Sequence, residues 1–283
     1  MNLSIIPDEI SADPFTALEF CAEWGFNAVE LRNSYRRRVP VCPKWMTDRT
    51  IAACKAYGMK VTAVSPGLFK PIMNDDGSNI PLSTDNAAEI KRQINELLPK
   101  FLDFADAAGT KNVIVFSLPR AAAAADRPSI VVDSLAQAAE KARAGGFTLL
   151  LENGGGSWTL TGAETRAVVD AVGADNLKIT WDPANVINAG GNENPVIDGY
   201  AAVKSKIGNV HIKDSVRDAG KGRWMQFGAG TVDWKTQLSA LKADGYQGYV
   251  TLEPHLQYEN PMNLVATIRE FAGRVRAAVR TFG

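Results

Sequence analysis

Eight short apolar runs recur along the chain, and longer amphipathic stretches separate them. Most of these runs are nearly continuous in Val, Ile and Leu, which is typical of strands buried on both faces of a parallel sheet. The runs are LSII (3–6), AVELR (28–32), KVTAVS (60–65), NVIVFS (112–117), FTLLLEN (147–153), LKITWD (177–182), NVHIKD (209–214) and YVTLE (249–253).

The stretches between these runs have the punctuation of helices. Asp13 can cap one helix, Pro14 suits its first turn and Gly25 suits its exit. Thr161 and Glu164 have the spacing of a capping box at the start of another helix. The same kind of punctuation predicts two further helices, at 194–208 and 233–245.

Eight strands that alternate with eight helices predict an α/β protein, a (β/α)8 barrel that forms a single domain over residues 1–283. An open doubly wound sheet is the alternative, but no GxGxxG motif follows the first strand. The low-complexity run AAAAAD (121–126) is expected to be a loop or a helix entry, and we assign it no function.

Composition restricts the partners and the compartment. Lys plus Arg and Asp plus Glu number 31 each, so no basic excess indicates nucleic acid. The three cysteines lack a CxxC spacing, which favours free thiols in a reducing compartment. The first residues do not have the pattern of a signal peptide, and no run of about 18 apolar residues predicts a membrane span. We expect a cytoplasmic protein with no membrane partner.

Potential ligands stand at or near the ends of four consecutive strand-like runs: Glu152, Asp182, His211 and Glu253. A barrel of this kind places its chemistry at the carboxyl ends of its strands, so these side chains are expected to converge. Each has an ordinary interpretation, such as an exposed glutamate, a turn before proline or a core histidine. The joint pattern favours a site, and His211 is one of only two histidines in the chain.

Three carboxylates and one imidazole form a hard, oxygen-rich ligand set. Such a set predicts one divalent metal ion, with Mn²⁺ or Mg²⁺ favoured and Co²⁺ or Zn²⁺ as alternatives. A structural zinc site would usually contain cysteines.

The motifs LLLENGG, WDPANV, VHIKD, GAGTVDW and TLEPH, together with the opening PDEISADPFTALEFCAEWGFNAVELR, resemble the xylose-isomerase-like barrel superfamily of sugar isomerases and epimerases. The likeness covers essentially the whole chain. It is specific for the superfamily and much less so for a substrate.

The resemblance implies that the metal lies on Glu152, Asp182, His211 and Glu253. In the ketose 3-epimerases of this family, the two glutamates also move the substrate proton, and an arginine six residues after the metal histidine contacts the sugar. Arg217 holds that position here. Asn185 stands where those epimerases usually have histidine, a departure that weakens a ketohexose 3-epimerase assignment.

The reaction expected from this resemblance is proton abstraction next to a carbonyl through a metal-stabilised enediolate. Returning the proton to the opposite face gives an epimer, and returning it to the neighbouring carbon gives an isomer. A lyase or dehydratase acting on a keto-sugar or 3-keto-glycoside is the close alternative. The partner is a small sugar or sugar derivative, and Lys213 and Asp214 are further candidates for contact with it or for orienting His211.

Other classes fit less well. A three-metal apurinic-site endonuclease needs more histidines than this chain has and an excess of basic residues. A two-metal isomerase needs further ligands after His211, where HIKDSVRD supplies only aspartates. A non-catalytic barrel that binds a sugar or a protein remains open, since fold alone does not prove chemistry. Relatives are often dimers or tetramers, so a homo-oligomer is also open.

Several other residues have two interpretations from sequence. Trp158 and Trp224 are expected in loops after the fifth and seventh strands, either stacked on a sugar or packed in the protein. Glu30 and Arg32 end the second strand, either lining the pocket or forming an ion pair. His255 is expected beside the site rather than as a ligand. The segment 215–231, rich in Gly and Lys, is expected to be a long loop over the site or a merely mobile one.

Overall fold

Eight parallel strands close into a barrel in a computed structural model that describes residues 1–71, 80–121, 126–256 and 263–283. The strands are β1 (Asn2–Ile5), β2 (Ala28–Leu31), β3 (Lys60–Leu68), β4 (Asn112–Val115), β5 (Thr148–Glu152), β6 (Leu177–Trp181), β7 (Ile207–Ile212) and β8 (Tyr249–Leu252). The last strand pairs with the first, with Asn2 opposite Tyr249. This closure confirms the predicted (β/α)8 barrel and excludes the open sheet.

The strands separate two apolar regions. Alternate residues point to opposite faces of each strand, so Val113 and Val115 pack under the helices while Ile114 points into the barrel. Ile114 belongs to a small interior cluster with Ala63, Phe116 and Leu150. Beyond this cluster the buried interior becomes polar, which leaves room for chemistry at one end of the barrel.

Ten α-helices occur among the described residues, and most of them surround the barrel. They are α1 (Pro14–Glu23), α2 (Lys44–Ala56), α3 (Ala87–Arg92), α4 (Leu98–Ala107), α5 (Ser129–Ala144), α6 (Gly162–Val172), α7 (Pro183–Ala189), α8 (Tyr200–Val203), α9 (Trp234–Ala243) and α10 (Leu264–Phe282). The π-helical turn Gln93–Leu97 joins α3 to α4, and another, Pro195–Gly199, precedes α8. None of the described helices is long and apolar enough to span a bilayer.

Two of the predicted helix starts are confirmed, whereas the helix predicted at 194–208 is wrong at its end, since α8 ends at Val203 and Gly208 lies in β7. The Asp13 carboxylate accepts a hydrogen bond from the backbone N–H of Thr16 at 3.0 Å. Thr161 and Glu164 form a reciprocal capping box at the start of α6. In the run AAAAAD, residues 122–125 lie outside the described part of the chain. The cysteines Cys21, Cys42 and Cys54 are free.

The expectation that 215–231 is a long loop is wrong. Asp214–Asp218 and Lys221–Met225 form an antiparallel hairpin after β7. The carboxylate of Asp214 then accepts hydrogen bonds from the backbone N–H groups of Gly228 and Gly230, at 2.9 and 3.1 Å. A Cβ at Gly230 would collide with that carboxylate, so the close approach requires glycine. Asp214 therefore anchors the segment after the hairpin.

A second, shorter hairpin follows β2. Asn33–Ser34 pairs with Arg37–Arg38, and the two residues of the turn, Tyr35 and Arg36, have φ values of 50° and 62°. Two positive φ values are characteristic of a type I′ turn. This hairpin brings two arginines of the run 36–38 to the large cavity at the carboxyl end of the barrel.

Candidate metal centre

Four side chains from consecutive strands of the barrel converge at the carboxyl ends of those strands. Glu152 ends β5, Asp182 follows β6, His211 lies in β7 and Glu253 follows β8. One potential ligand atom from each lies within 4.8 Å of those of the others. All four residues are buried. The structure thus brings together the four residues that the sequence singled out.

Glu30 holds the imidazole of His211 from behind. Nε2 of His211 lies 3.0 Å from Oε2 of Glu30, and because a carboxylate only accepts, Nε2 carries the hydrogen. The amide of Asn209 also donates to Glu30, at 3.1 Å. Nδ1 of His211 faces the carboxylates of Glu253 and Glu152, 3.2 and 3.5 Å away, and is buried without a hydrogen-bond partner. Of the two interpretations of Glu30, a structural ion pair is the one found.

Asp182 is fixed by its place at the start of α7. Its Oδ1 accepts a hydrogen bond from the backbone N–H of Asn185 at 3.1 Å, as a helix N-cap. Asn153 grips the backbone of Asp182, accepting from its N–H at 2.7 Å and donating to its carbonyl at 2.8 Å. Oδ2 is buried and accepts no hydrogen bond of good geometry. Asp182 therefore presents one carboxylate oxygen to the cluster.

Lys213 lies inside the cluster. Its Nζ is 2.8 Å from Oδ2 of Asp182 and 2.6 Å from Oε2 of Glu253, and the residue is 1% exposed. The same ammonium lies 4.9 Å from the centre of the Trp224 ring. The sequence offered Lys213 as a substrate contact or as a residue that orients His211. In the structure its ammonium lies against two of the candidate metal ligands, and the residue also lines the cavity.

Arg32 ties Glu253 to two acidic residues that follow β1. Its guanidinium donates to Glu253 at 2.7 Å, to Glu9 at 2.6 Å and to Asp8 at 2.9 Å. His255 joins this network, with Nδ1 3.0 Å from Glu9 and Nε2 3.4 Å from Glu253. Glu9, Glu253 and His255 form a second group that is close enough to share a cation.

Opposing effects set the charges of the cluster. Burial raises the pKa of Glu152, but the charge of His211, whose Nδ1 lies 3.5 Å away, outweighs burial and lowers that pKa to about 2. Burial likewise raises the pKa of Glu253, and Lys213, His255 and His211 hold it well below its usual range. At Asp182 burial prevails over Lys213 and raises the pKa. For His211, burial lowers the pKa, but Glu30, Glu152 and Glu253 raise it well above its usual value.

The four residues fit a divalent cation. The buried Nδ1 of His211 lacks a hydrogen-bond partner, which is costly unless a ligand such as a cation engages it. Ligand atoms at about 2.0–2.2 Å from one ion lie at most about 4.4 Å apart, close to the spacing observed. Three carboxylates with one imidazole suit Mn²⁺, Mg²⁺, Co²⁺ or Zn²⁺.

A cavity of about 1050 Å³ opens above the cluster. Of the predicted site residues, Glu152, Glu253, Asn185 and Lys213 line it, and Asn185 donates to Oε1 of Glu152 at 3.2 Å. Arg217 does not line it. Arg217 is exposed on the hairpin after β7, where it donates to the carbonyl of Asn188 at 2.6 Å.

The two predicted loop tryptophans differ in environment. Trp158 is 5% exposed and lies against the guanidinium of Arg120 rather than on the cavity wall. Trp224 lies in the hairpin strand Lys221–Met225, with its ring 5.1 Å from that of His255. For Trp158 the packing interpretation therefore describes the structure.

Sequence reasoning missed Asp8, Glu9, Arg38 and Lys70, all of which line the cavity. Asp8 and Glu9 follow β1 directly, so the rule that chemistry gathers at strand ends would have found them. The signal for Arg38 was the run of three consecutive arginines in NSYRRRVP. Lys70 has no local signal, because nothing in LFKP distinguishes it from an ordinary surface lysine.

Comparison with known proteins supports the fold. A family model described as "Xylose isomerase-like TIM barrel" matches residues 18–272. No curated protein matches the chain.

Three solved structures illustrate the similarity, and each is under 25% identical to the chain, so each supports the fold alone. The IOLI protein with a bound zinc atom has a TM-score of 0.76 at 19% identity, with 100% of this chain and 99% of that chain covered. D-allulose 3-epimerase from Methylomonas sp. in complex with D-allulose has a TM-score of 0.75 at 20% identity, with 100% of this chain and 97% of that chain covered. The probable 3-DHS dehydratase AsbF from Bacillus anthracis has a TM-score of 0.74 at 17% identity, with 98% of this chain and 99% of that chain covered.

Proposed function

Because the chain belongs to the xylose isomerase-like TIM barrel family, we propose that it is a divalent-metal-dependent isomerase or epimerase of a small sugar or sugar derivative. The observation that carries this proposal is the buried group Glu152, Asp182, His211 and Glu253, whose ligand atoms lie within 4.8 Å of one another. Mn²⁺ is the metal we favour, because three of the four ligands are carboxylates.

A bound divalent cation supplies Lewis-acid stabilisation of the negative charge that develops on the substrate oxygens. The protein must then remove a proton from the carbon next to the carbonyl and return it. Glu152 and Glu253 line the cavity and are the carboxylates placed to do this. Their low pKa values keep both ionised but make them weak bases, so a closed, dry site would have to raise the basicity of one of them for proton abstraction.

The surroundings of the two glutamates favour Glu152 as the first proton acceptor. Glu253 already accepts short, charged hydrogen bonds on both oxygens, from Arg32 at 2.7 Å and from Lys213 at 2.6 Å. Glu152 accepts one from the neutral amide of Asn185, at 3.2 Å on Oε1. Cationic donors stabilise the ionised form of a carboxylate and make it less basic. Because Glu152 accepts fewer of them than Glu253, Glu152 should be the more basic of the two once a substrate has displaced water. Glu152 can return that proton to the neighbouring carbon, which gives an isomer. For an epimer, Glu253 would have to hold a proton of its own and deliver it from the opposite face, while Glu152 loses the abstracted proton to water.

A metal-dependent lyase or dehydratase is the second candidate. It would use the same abstraction by Glu152, followed by loss of a group from the next carbon. The similarity of fold to a probable dehydratase supports this candidate, and so does Lys213, whose ammonium could donate a proton to a leaving oxygen beside Glu253.

The first test is metal content per chain, by elemental analysis of protein incubated with Mn²⁺ and then desalted. We expect about one ion in the parent, little in His211→Ala, and retention in His255→Ala. Loss only in His255→Ala would move the metal to the group of Glu9, Glu253 and His255. No metal in any of the three would make a non-catalytic binding barrel the leading interpretation.

The second test follows deuterium in D₂O by NMR, with a panel of ketoses and keto-glycosides. Deuterium on the carbon next to the carbonyl, with an epimer or isomer formed, is the expected result. Formation of an unsaturated product would favour the lyase. No exchange with any compound by the metal-loaded protein would contradict both.

A further inference from the structure

The cationic side chains that line the cavity fall into two groups. Arg32 and Lys213 contact the acidic residues of the site. Arg36, Arg38 and Lys70 form the second group, which we call the basic wall. Within the described ranges, no carboxylate lies within 4.0 Å of a cationic nitrogen of the basic wall.

Arg38 is the centre of the basic wall. Nη1 donates to the carbonyl of Ser65 at 2.9 Å, and this neutral oxygen is its one acceptor among the described residues. Its aliphatic part lies over Gly67, where a Cβ would be 3.5 Å from Nε. Burial and the charge of Arg32 lower the pKa of Arg38 to about 10, so it remains a cation at neutral pH. A guanidinium has five N–H donors, and a partly buried one with a single acceptor lacks a counter-ion.

Lys70 extends the basic wall from the end of β3. Its Nζ lies 3.6 Å from the centre of the Phe116 ring, which holds the ammonium over an aromatic face. Lys70 is open to the cavity, yet the protein around it lowers its pKa to about 8, with Glu152 partly opposing that shift. At pH 7 the side chain is therefore mainly charged.

A side pocket of about 200 Å³ lies against the basic wall. Arg36, Arg38 and Lys70 line both this pocket and the main cavity, so the two spaces adjoin. The rest of its lining is Asn33, Arg37, Val41, Pro66, Gly67 and Pro71. The pocket is large enough for a carboxylate or a phosphate, but small beside the main cavity.

We propose that the side pocket binds an anionic group of the substrate, so that this barrel acts on a sugar acid or sugar phosphate rather than a neutral ketose. Guanidinium groups bind carboxylate and phosphate through paired hydrogen bonds, and with one acceptor among the described residues Arg38 has further donors for such a pair. The anion would supply the direct ion-pair partner that no described carboxylate provides within 4.0 Å. This inference rests on the function proposed above, because it assumes that the carbonyl end of the substrate lies at the metal centre.

The test measures anion binding by isothermal titration calorimetry with Mn²⁺-loaded protein. One titration uses inorganic phosphate, and a second compares D-gluconate with sorbitol, its uncharged six-carbon counterpart. The variant Arg38→Gln/Lys70→Gln removes two positive charges from the basic wall. The control Lys242→Gln/Arg280→Gln removes two positive charges from exposed positions away from the cavity. Manganese content is measured in all three proteins.

We expect phosphate or gluconate to bind the parent and the control. Sorbitol should bind both with an affinity lower by about tenfold or more, because it cannot form charged hydrogen bonds with the basic wall. The tighter of the two anions identifies the substrate group. In the basic-wall variant the anion should lose about tenfold or more in affinity while manganese stays near one per chain.

Equal anion affinity in the basic-wall variant and the control would overturn the side pocket as an anion site, since the anion would then bind elsewhere, for instance at the metal. Absence of anion binding in the parent would overturn it too. A parent that binds anions but no manganese would instead contradict the proposed function, so the two failures are distinguishable.

Discussion

Glu30 lies directly behind His211, with 3.0 Å between Oε2 of the carboxylate and Nε2 of the ring, and 181 residues separate the two along the chain. A carboxylate in this position fixes which ring nitrogen carries the hydrogen, and it would leave Nδ1 for the proposed metal and strengthen that nitrogen as a ligand. In the proposed metal centre, Glu30 would therefore orient the imidazole before a cation binds.

Removal of this support should weaken metal binding. We expect Glu30→Ala to lower the affinity for Mn²⁺ by about 10–100-fold, the usual cost of losing a partner behind a metal ligand. Glu30→Gln keeps an acceptor oxygen and should lose less. Electron paramagnetic resonance of free Mn²⁺ measures both, and an unchanged affinity in Glu30→Ala would show that the pair has no role at the metal.

Glu152→Gln tests proton transfer when manganese content is measured beside turnover, because Glu152 is also one of the proposed metal ligands. Turnover should fall by about 10²–10⁴-fold, the contribution typical of a positioned acid or base. Stability should change little, because the ion pairs of Arg32 and Lys213 stay intact. Glu253→Gln breaks both of those pairs and should lower turnover and thermal stability together. Steady-state kinetics measures the loss of turnover in each variant, and calorimetry measures the change in melting temperature. Near-normal activity in both variants would exclude the mechanism.

Lys213 should stabilise the metal-free protein and oppose the metal. Lys213→Met leaves the carboxylates of Asp182 and Glu253 buried without their ammonium, and breaking such a pair costs about 3–5 kcal/mol. Added Mn²⁺ replaces the lost charge, so the rise in melting temperature on adding metal should be larger in the variant than in the parent. An equal rise in both would show that Lys213 and the cation do not compete for these oxygens.

Anion binding should depend on pH through Lys70. Burial, with the charges of Arg38 and Lys213, lowers the pKa of Lys70 from 10.5 to about 8, and Glu152 and Glu253 partly oppose that shift. The charged form binds anions, so gluconate affinity should be full below pH 7 and should fall as the pH rises through about 8.

Lys70→Arg is the matched variant for this pH dependence. Arginine stays charged throughout this range, so the fall in affinity above pH 7 should disappear. The measurement is gluconate titration at several pH values. The same fall in Lys70→Arg would assign the pH dependence to another group.

The barrel and its four candidate ligands could be predicted because parallel strands end at a common edge. Once the eight runs are recognised as strands of one barrel, the side chains at their carboxyl ends are all expected at the same face of that barrel. Glu152, Asp182, His211 and Glu253 followed from this rule without knowledge of any contact. The rule does not predict which side chains contact one another, however, so it could not pair Glu30 with His211 or place Lys213 between two carboxylates.

The hairpin after β7 was missed for a local reason. Its turn residues are Ala219 and Gly220, with φ values of 45° and 80°. A type I′ turn is usually recognised by Asn-Gly or Asp-Gly, and alanine gives no such signal. The strands on either side are polar and partly exposed, so they do not have the apolar pattern that identified the barrel strands.

The positions of the two kinds of charge around the barrel have a consequence for recognition. The carboxylates of the candidate metal centre come from β5, β6 and β8, whereas Arg38 and Lys70 follow β2 and β3, so a line between the two groups crosses the barrel. A ligand with a polarisable carbonyl at one end and a negative charge at the other would lie along that line in one direction only. With the proposed function and the proposed anion site, this separation of charge would determine which carbon of an elongated substrate meets Glu152.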